Sequence, residues 1–292
     1  MVQNDWSIVR RKVIHDNGKV SSTTKIKRAA LAHDAAIQQR VQHGRWCEIA
    51  SPFRPPVCTA HILETCVTGD DCEFTSMTLD SQDLKKIADL TLEHYNQRAT
   101  AFWEGTRHHN VTPNIAILLQ YIEGQAPFTI LDFGCGPGRD LKVFCELGHI
   151  AVGLDGSARF VDMARAHSSC EVWHQDFCKL DLPDKHFDGI FANASLFHLP
   201  SQELPRVLLE LHATLKTGGV LFSSNPHGHN EEGWSGERYG AYYDLQTWQR
   251  HMSDAGFVEL THYYRPDGLA RHQQPWLASV WRKLPADALA GC

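Results

Sequence analysis

From about Leu79 onward the apolar residues follow two rhythms, one recurring every three to four positions and one running in short β-rich bursts. The first predicts helices over Asp83–Trp103, Pro113–Glu123, Arg139–Leu147, Ser157–His167 and Ser201–Leu215, and a last one from Asp244 to Ala255. The second predicts strands over Thr129–Phe133, Ile150–Leu154, Glu171–Gln175, Phe187–Ala192, Val220–Ser224, Phe257–Tyr264 and Trp276–Trp281. Local punctuation agrees, with Thr112 placed as a cap, Pro113 at a first helical position and Gly124, Gly148 and Gly256 as stops. Leu204, Val207, Leu208, Leu211 and Leu215 share one helical face, which is a packing stripe. Strands alternating with helices predict an α/β domain, a doubly wound and mostly parallel sheet with helices on both faces.

Residues 1–76 keep neither rhythm. Ser21 to Arg28 is polar and basic, Ala29 to Gln42 could form a short helix, and Ser51-Pro52-Phe53-Arg54-Pro55-Pro56 must be extended or turning. This region reads as a disordered or dispensable extension of a domain spanning 77–292, whose core runs over about 90–283. A mitochondrial transit peptide and a start at Met77 are the alternatives. Cys47, Cys58, Cys66 and Cys72, with His61 among them, lack the close Cys-x-x-Cys pair that grips a tetrahedral metal, so no metal is expected there. Nine irregularly spaced cysteines argue for free thiols in a reducing, cytoplasmic setting rather than a disulfide framework. No apolar run approaches the roughly 20 residues of a membrane-spanning helix.

Charge separates the same two regions. Residues 1–60 carry ten Lys/Arg against four Asp/Glu, a balance of +6, so the rest of a chain with net charge −6 carries −12. A negative main body disfavours a nucleic-acid partner, which would require a basic face.

Candidate chemistry begins at Gly134-Cys135-Gly136-Pro137-Gly138, directly after the strand ending at Phe133. Glycines there let the backbone turn sharply and approach a ligand, and the helix from Arg139 offers its N-terminal N–H groups. Arg139 stands where the dinucleotide fingerprint has its third glycine. Asp132 precedes the loop and could receive a ligand ammonium. Asp155, with Gly156 after it, ends the second strand, where a ribose diol can meet a carboxylate. Asp176 and Phe177 follow the third strand, suited to an adenine amino group and ring. Each acid has a plainer reading as the cap of the next helix; their succession at three strand ends favours a ligand.

Taken in order, Ile130–Gly138, Val152–Asp155, Gln175-Asp176-Phe177, Phe187–Ala192 and Leu215–Leu221 resemble the motifs of the class I S-adenosylmethionine (SAM)-dependent methyltransferases over roughly residues 90–283. The resemblance implies a seven-stranded sheet with its last strand antiparallel. It also implies that the glycine loop (Gly134, Cys135, Gly136, Gly138) holds the methionine part of SAM, Asp155 the ribose, and Asp176 with Phe177 the adenine. Tyr95 resembles the family's aromatic over the cofactor carboxylate, and Asn193 lies after the fourth strand beside the cofactor.

For the acceptor, expected to be a small molecule, three segments qualify. Asn193-Ala194-Ser195-Leu196-Phe197-His198 follows the fourth strand and offers Ser195 for binding and His198 as a general base, with a structural histidine as the competing reading. Trp103, Arg107 and His108, with His109 beside them, form an aromatic–basic cluster suited to a lid. Asn225 to Tyr243 reads as a long, irregular polar loop carrying Trp234, Tyr239 and Tyr243, again a lid over the acceptor. Its His227, His229, Glu231 and Glu232 have no spacing fixed for a metal. A protein substrate, or SAM binding without catalysis, is the alternative function.

Overall fold

The computed structural model describes residues 78–284, so the expectations for residues 1–76, the cysteine group included, lie outside the described residues. Within it, α1 (Ser81–Thr106) and α2 (Thr112–Tyr121) precede a regular alternation. Strand β1 (Thr129–Phe133) leads to α3 (Arg139–Glu146), β2 (Ile150–Asp155) to α4 (Ala158–Ser168) and then β3 (Glu171–His174). Strand β4 (Phe187–Asn193), α5 (Leu204–Thr214) and β5 (Leu215–Pro226) complete the parallel part. A hairpin, β6 (Glu231–Ser235) and β7 (Arg238–Tyr242), is followed by α6 (Leu245–Asp254), β8 (Phe257–Arg265) and β9 (Trp276–Lys283).

Seven strands form one sheet in the order β3-β2-β1-β4-β5-β9-β8. Strands β1 to β5 are parallel to their neighbours, whereas β9 runs antiparallel between β5 and β8. The order reverses at β1, so the crevice between the ends of β1 and β4 is the natural ligand site of such a sheet.

The central strands are buried on both faces, which is why they read as continuous apolar runs. One core cluster joins the α5 stripe of Leu204, Val207, Leu208 and Leu211 to Trp248, Met252 and Trp281. The other packs Ile115 and Leu118 of α2 and Leu141 and Phe144 of α3 onto Ile130, Phe191 and Phe222. Phe191 stacks on Phe222 at 5.0 Å and meets Phe144 edge-on at 5.3 Å. Truncating Phe191 to alanine at this junction would cost about 3–5 kcal/mol.

Four departures from the sequence reading have local causes. Helix α2 begins at Thr112 itself, and Asn110 Oδ1, rather than a threonine cap, accepts the Thr112 N–H at 3.1 Å. Helix α5 starts at Leu204 because Pro205 fits only its first turn. Cys145 at the end of α3 and Cys170 in the turn before β3 bring their sulfurs together, while Cys135 and Cys178 stand apart. The stretch Asn225–Tyr243 is largely paired rather than irregular: β5 continues to Pro226, and Gly236, at φ +64°, makes the two-residue turn that sets Trp234 opposite Tyr239.

Candidate functional site

The glycine loop is shaped by close approach on both sides. Its Gly134 and Cys135 N–H groups both donate to the Leu154 carbonyl, at 2.8 and 3.0 Å. A Cβ at Gly134, where φ is +78°, would overlap Ser195 after β4 and come within 3.3 Å of Phe177. At Gly138, φ is +87° and a Cβ would stand 2.8 Å from the Ala164 backbone of α4. The loop therefore lies wedged between the segments that follow β3 and β4.

Asp132 is buried at the end of β1, and its Oδ2 has no hydrogen-bond partner. Burial, aided by the nearby Asp140 charge, holds its carboxyl well above the usual range. A buried carboxyl oxygen without a partner beside a glycine loop is a polar group that a ligand could satisfy. Asp155 is also buried, but its oxygens accept the Gly136 N–H at 2.9 Å and the Ser157 N–H at 2.8 Å. Burial outweighs these bonds and raises its pKa to about 6. Each oxygen has a second lone-pair direction, so a diol could still be received. Asp176 accepts the Cys178 N–H at 2.9 Å within its own turn, and among the described residues no helix lies between β3 and β4 for it to cap. Phe177 stacks on Phe133 with ring centroids 4.2 Å apart.

Asn193 joins a polar chain that sequence reasoning did not find. Its Oδ1 accepts from Asn114 Nδ2 at 3.0 Å, its Nδ2 donates to Asp140 at 3.3 Å, and the Tyr263 hydroxyl donates to Asn114 Oδ1 at 3.1 Å. Ser195 is buried with its hydroxyl unpartnered. Arg139, in place of a third glycine, grips Asp140 through two bonds and reaches the Thr106 carbonyl at 2.8 Å. It thus fastens the end of α1, whose Thr106 carbonyl also accepts the His109 N–H, to the start of α3.

Helix α1 packs over the end of β2 and the start of α4. A Cβ at Gly156 would stand 2.7 Å from Leu92 Cδ2, and Asn96 Oδ1 accepts from the Ser157 hydroxyl at 2.7 Å and the Arg159 N–H at 3.2 Å. A depression of about 490 Å³ opens beside this contact, lined in part by Leu92, Asn96, Gly156 and His174. Tyr95 packs on Phe102, Phe160 and His198.

The His198 ring is engaged at both nitrogens. Its Nδ1 lies 2.8 Å from the Tyr239 carbonyl, which can only accept, so Nδ1 carries the proton. Its Nε2 therefore accepts from the Tyr95 hydroxyl at 2.7 Å. Burial lowers the His198 pKa to about 4. Neither nitrogen is left for a substrate proton. Arg238 Nη1 approaches the Tyr95 oxygen at 3.4 Å, and Tyr239 N–H donates to Thr91 at 3.2 Å, so the hairpin is pinned to α1.

The remaining acceptor expectations divide. Tyr239 is buried beneath α1, its phenol pushed up to about 12 by burial and by Glu232, with the half-exposed Trp234 edge-on to it. Tyr243 instead joins the core against Trp248 and His251, because the alternation that buries Tyr239 and Ala241 turns it inward too. Trp103 packs on His167 of α4, Arg107 pairs with Glu104, and His108 is exposed. That cluster turns toward α4 and solvent, whereas the hairpin packs on α1.

Residues 130–219 match the family model of the methyltransferase domain. A trans-aconitate 2-methyltransferase of Azoarcus sp. (strain BH72) is 30% identical over 165 residues, covering 44% of this chain and 64% of the relative. A malonyl-acyl-carrier-protein O-methyltransferase of Yersinia pestis is 29% identical over 229 residues, covering 76% and 78%. The chain thus spans less than two thirds of the first of these relatives. Among solved structures, the Burkholderia thailandensis 1,6-didemethyltoxoflavin-N1-methyltransferase, with bound S-adenosylhomocysteine, superposes with a TM-score of 0.58 at 19% identity, over 69% of this chain and 91% of that one. The cyclase SpnF superposes with a TM-score of 0.52 at 18% identity, over 70% and 96%. At these identities the likeness concerns the fold.

Proposed function

We propose, starting from a chain that belongs to the class I SAM-dependent methyltransferases, that it transfers the methyl group of SAM to a small-molecule acceptor. The observation that carries this reading is the buried, unpartnered Oδ2 of Asp132 at the glycine loop. SAM presents an ammonium on its methionine part, and a carboxylate that lacks a cation fits it where a pyrophosphate would be repelled. Asp155 would take the ribose hydroxyls, Asp176 and Phe177 the adenine, and Asn193 the neighbourhood of the methyl. When bound, SAM supplies a methyl already activated by its sulfonium. The chain's residues then have to orient the acceptor in line, exclude water and keep the cover shut.

His198 we assign to positioning. Its locked tautomer holds the Tyr95 hydroxyl, and a pKa of about 4 leaves it neutral near pH 7. The methyltransferase relatives support transfer chemistry, whereas a cyclase on the same fold makes turnover a matter for measurement.

Calorimetric titration with SAM, S-adenosylhomocysteine and NAD tests the cofactor, and labelled SAM added to a metabolite extract tests transfer. Binding of the first two ligands, with label in a small-molecule fraction, is expected. Binding of NAD alone would overturn the reading. Label found only in protein would favour a protein acceptor.

A further inference from the structure

We infer that Arg265 is the acceptor-recognition residue and that the acceptor is a carboxylate, methylated on oxygen; this rests on the methyltransferase reading above. Arg265 ends β8, which runs antiparallel to β9 and hence in the direction of β1, β4 and β5. It therefore stands at the same edge of the sheet as the glycine loop and Asn193. Its register is regular with Tyr263, two residues earlier, so both side chains leave the same face. Tyr263 packs on the core cluster beneath α2, and its hydroxyl reaches Asn114, which holds Asn193. Arg265 lies one step further out along this line, within electrostatic reach of Arg139 and Asp140.

The two arginines of this corner differ in how they are satisfied. Arg139 is saturated by Asp140 and the Thr106 carbonyl. Arg265 is partly buried, yet among the described residues it carries no hydrogen bond or ion pair. Burial pulls its pKa down, and only the weaker influences of Tyr263 and Asp140 oppose this. A half-buried guanidinium without an anion is a costly arrangement that a bound carboxylate would relieve with two parallel bonds.

A second observation leads to the same class of acceptor. The histidine after β4 has no free nitrogen. An acceptor that is already deprotonated at neutral pH needs no base. In the reaction a carboxylate oxygen attacks the methyl carbon, the new C–O bond forms as the C–S bond breaks, and the C–S pair stays on sulfur. One negative and one positive charge become a neutral ester and a neutral thioether, and no proton moves. In a polycarboxylate, one carboxylate would sit on Arg265 while another is methylated.

The full chain is incubated with methyl-labelled SAM and a panel of short di- and tricarboxylic acids, and the products are treated with alkali. Methyl esters release the label as methanol, whereas methyl ethers, amines and thioethers keep it. Base-labile label is expected. In Arg265→Gln the KM for the acid should rise roughly ten- to a hundredfold, as for loss of a charged hydrogen-bonded pair, with SAM binding by calorimetry unchanged. Arg265→Lys, which keeps the charge but not the fork, should fall between, and its thermal transition shows that the fold persists. Base-stable label, or no transfer to the acids by protein that binds SAM, would overturn the carboxylate inference and leave the methyltransferase reading standing. Base-labile label with an unchanged KM in folded Arg265→Gln would overturn the role of Arg265. Failure to bind SAM at all would overturn the reading beneath both.

Discussion

The glycine loop and the α1–hairpin contacts above it, the two halves of the candidate site, are built in opposite ways. In the loop, the decisive bonds join residues close in sequence: Gly136 to Asp155 across 19 positions and Ser157 to Asp155 across two. In the cover, Tyr95 meets His198 across 103 positions, Arg238 meets Tyr95 across 143 and Tyr239 meets Thr91 across 148. The first half is fixed by backbone geometry and buried charge, the second by a few side-chain bonds between elements distant in the chain. The loop is therefore expected to yield less to mutation than the cover.

This contrast orders the expected effects of mutation. Gly138→Val forces a β-branched residue into a left-handed conformation against the α4 backbone, and should cost about 2–6 kcal/mol by combined strain and overpacking. A thermal melt showing less than a few degrees of loss would contradict the wedge. Next comes Asp132→Asn, which removes a buried carboxylate that folding disfavours when ionised. The ligand-free protein should melt higher, while SAM affinity by calorimetry falls roughly tenfold to a hundredfold. If both quantities moved the same way, the ammonium assignment would fail.

A third effect is a pH dependence centred on Asp155. Its folded pKa of about 6 lies above the ordinary carboxyl value, so its contribution to stability is fully present below about pH 4 and is lost as pH rises through 6. A ribose diol donates best to the ionised form. SAM affinity should therefore drop below pH 6 even as this residue's stability contribution recovers, and titrations from pH 5 to 8 would reveal the opposed trends.

The cover should respond more weakly. A double-mutant cycle of Tyr95→Phe and His198→Gln is expected to give a coupling of about 1 kcal/mol in kcat/KM, as for one hydrogen bond. At its rim, Glu237→Gln loses the exposed contact to Arg98 and should change stability by no more than about 0.5 kcal/mol. A larger effect there would make the cover as rigid as the loop.

The same contrast explains what could be read from sequence. Strand β1 and the glycine turn were legible because period, turn residues and buried acids all lie within a few positions of one another. The hairpin was missed because its charged residues hide an alternation, Tyr239, Ala241 and Tyr243 inward, that is visible once Gly236 is taken as a turn. Arg139 read only as a missing glycine, since its partner carbonyl lies 33 positions away. Asn114 and Arg265 carried no signal at all, because what places them beside β4 is the order of strands rather than any spacing along the chain.

The bond from Arg139 to the Thr106 carbonyl has a mechanical meaning. It anchors one end of a 26-residue helix, roughly 39 Å long at 1.5 Å per residue, to the start of α3 beside the glycine loop. Were the bonds of Leu79 to Gln202, of Tyr239 to Thr91 and of Ser157 and Arg159 to Asn96 to open, such a rod would turn as a lever with its fulcrum at Thr106. A rotation of about 10° there carries the far end about 7 Å on that length, while Phe102 and Trp103 near the fulcrum hardly shift. Leu92 and Tyr95, part-way along, swing by intermediate amounts. An opening of that kind would leave every rung of the sheet undisturbed.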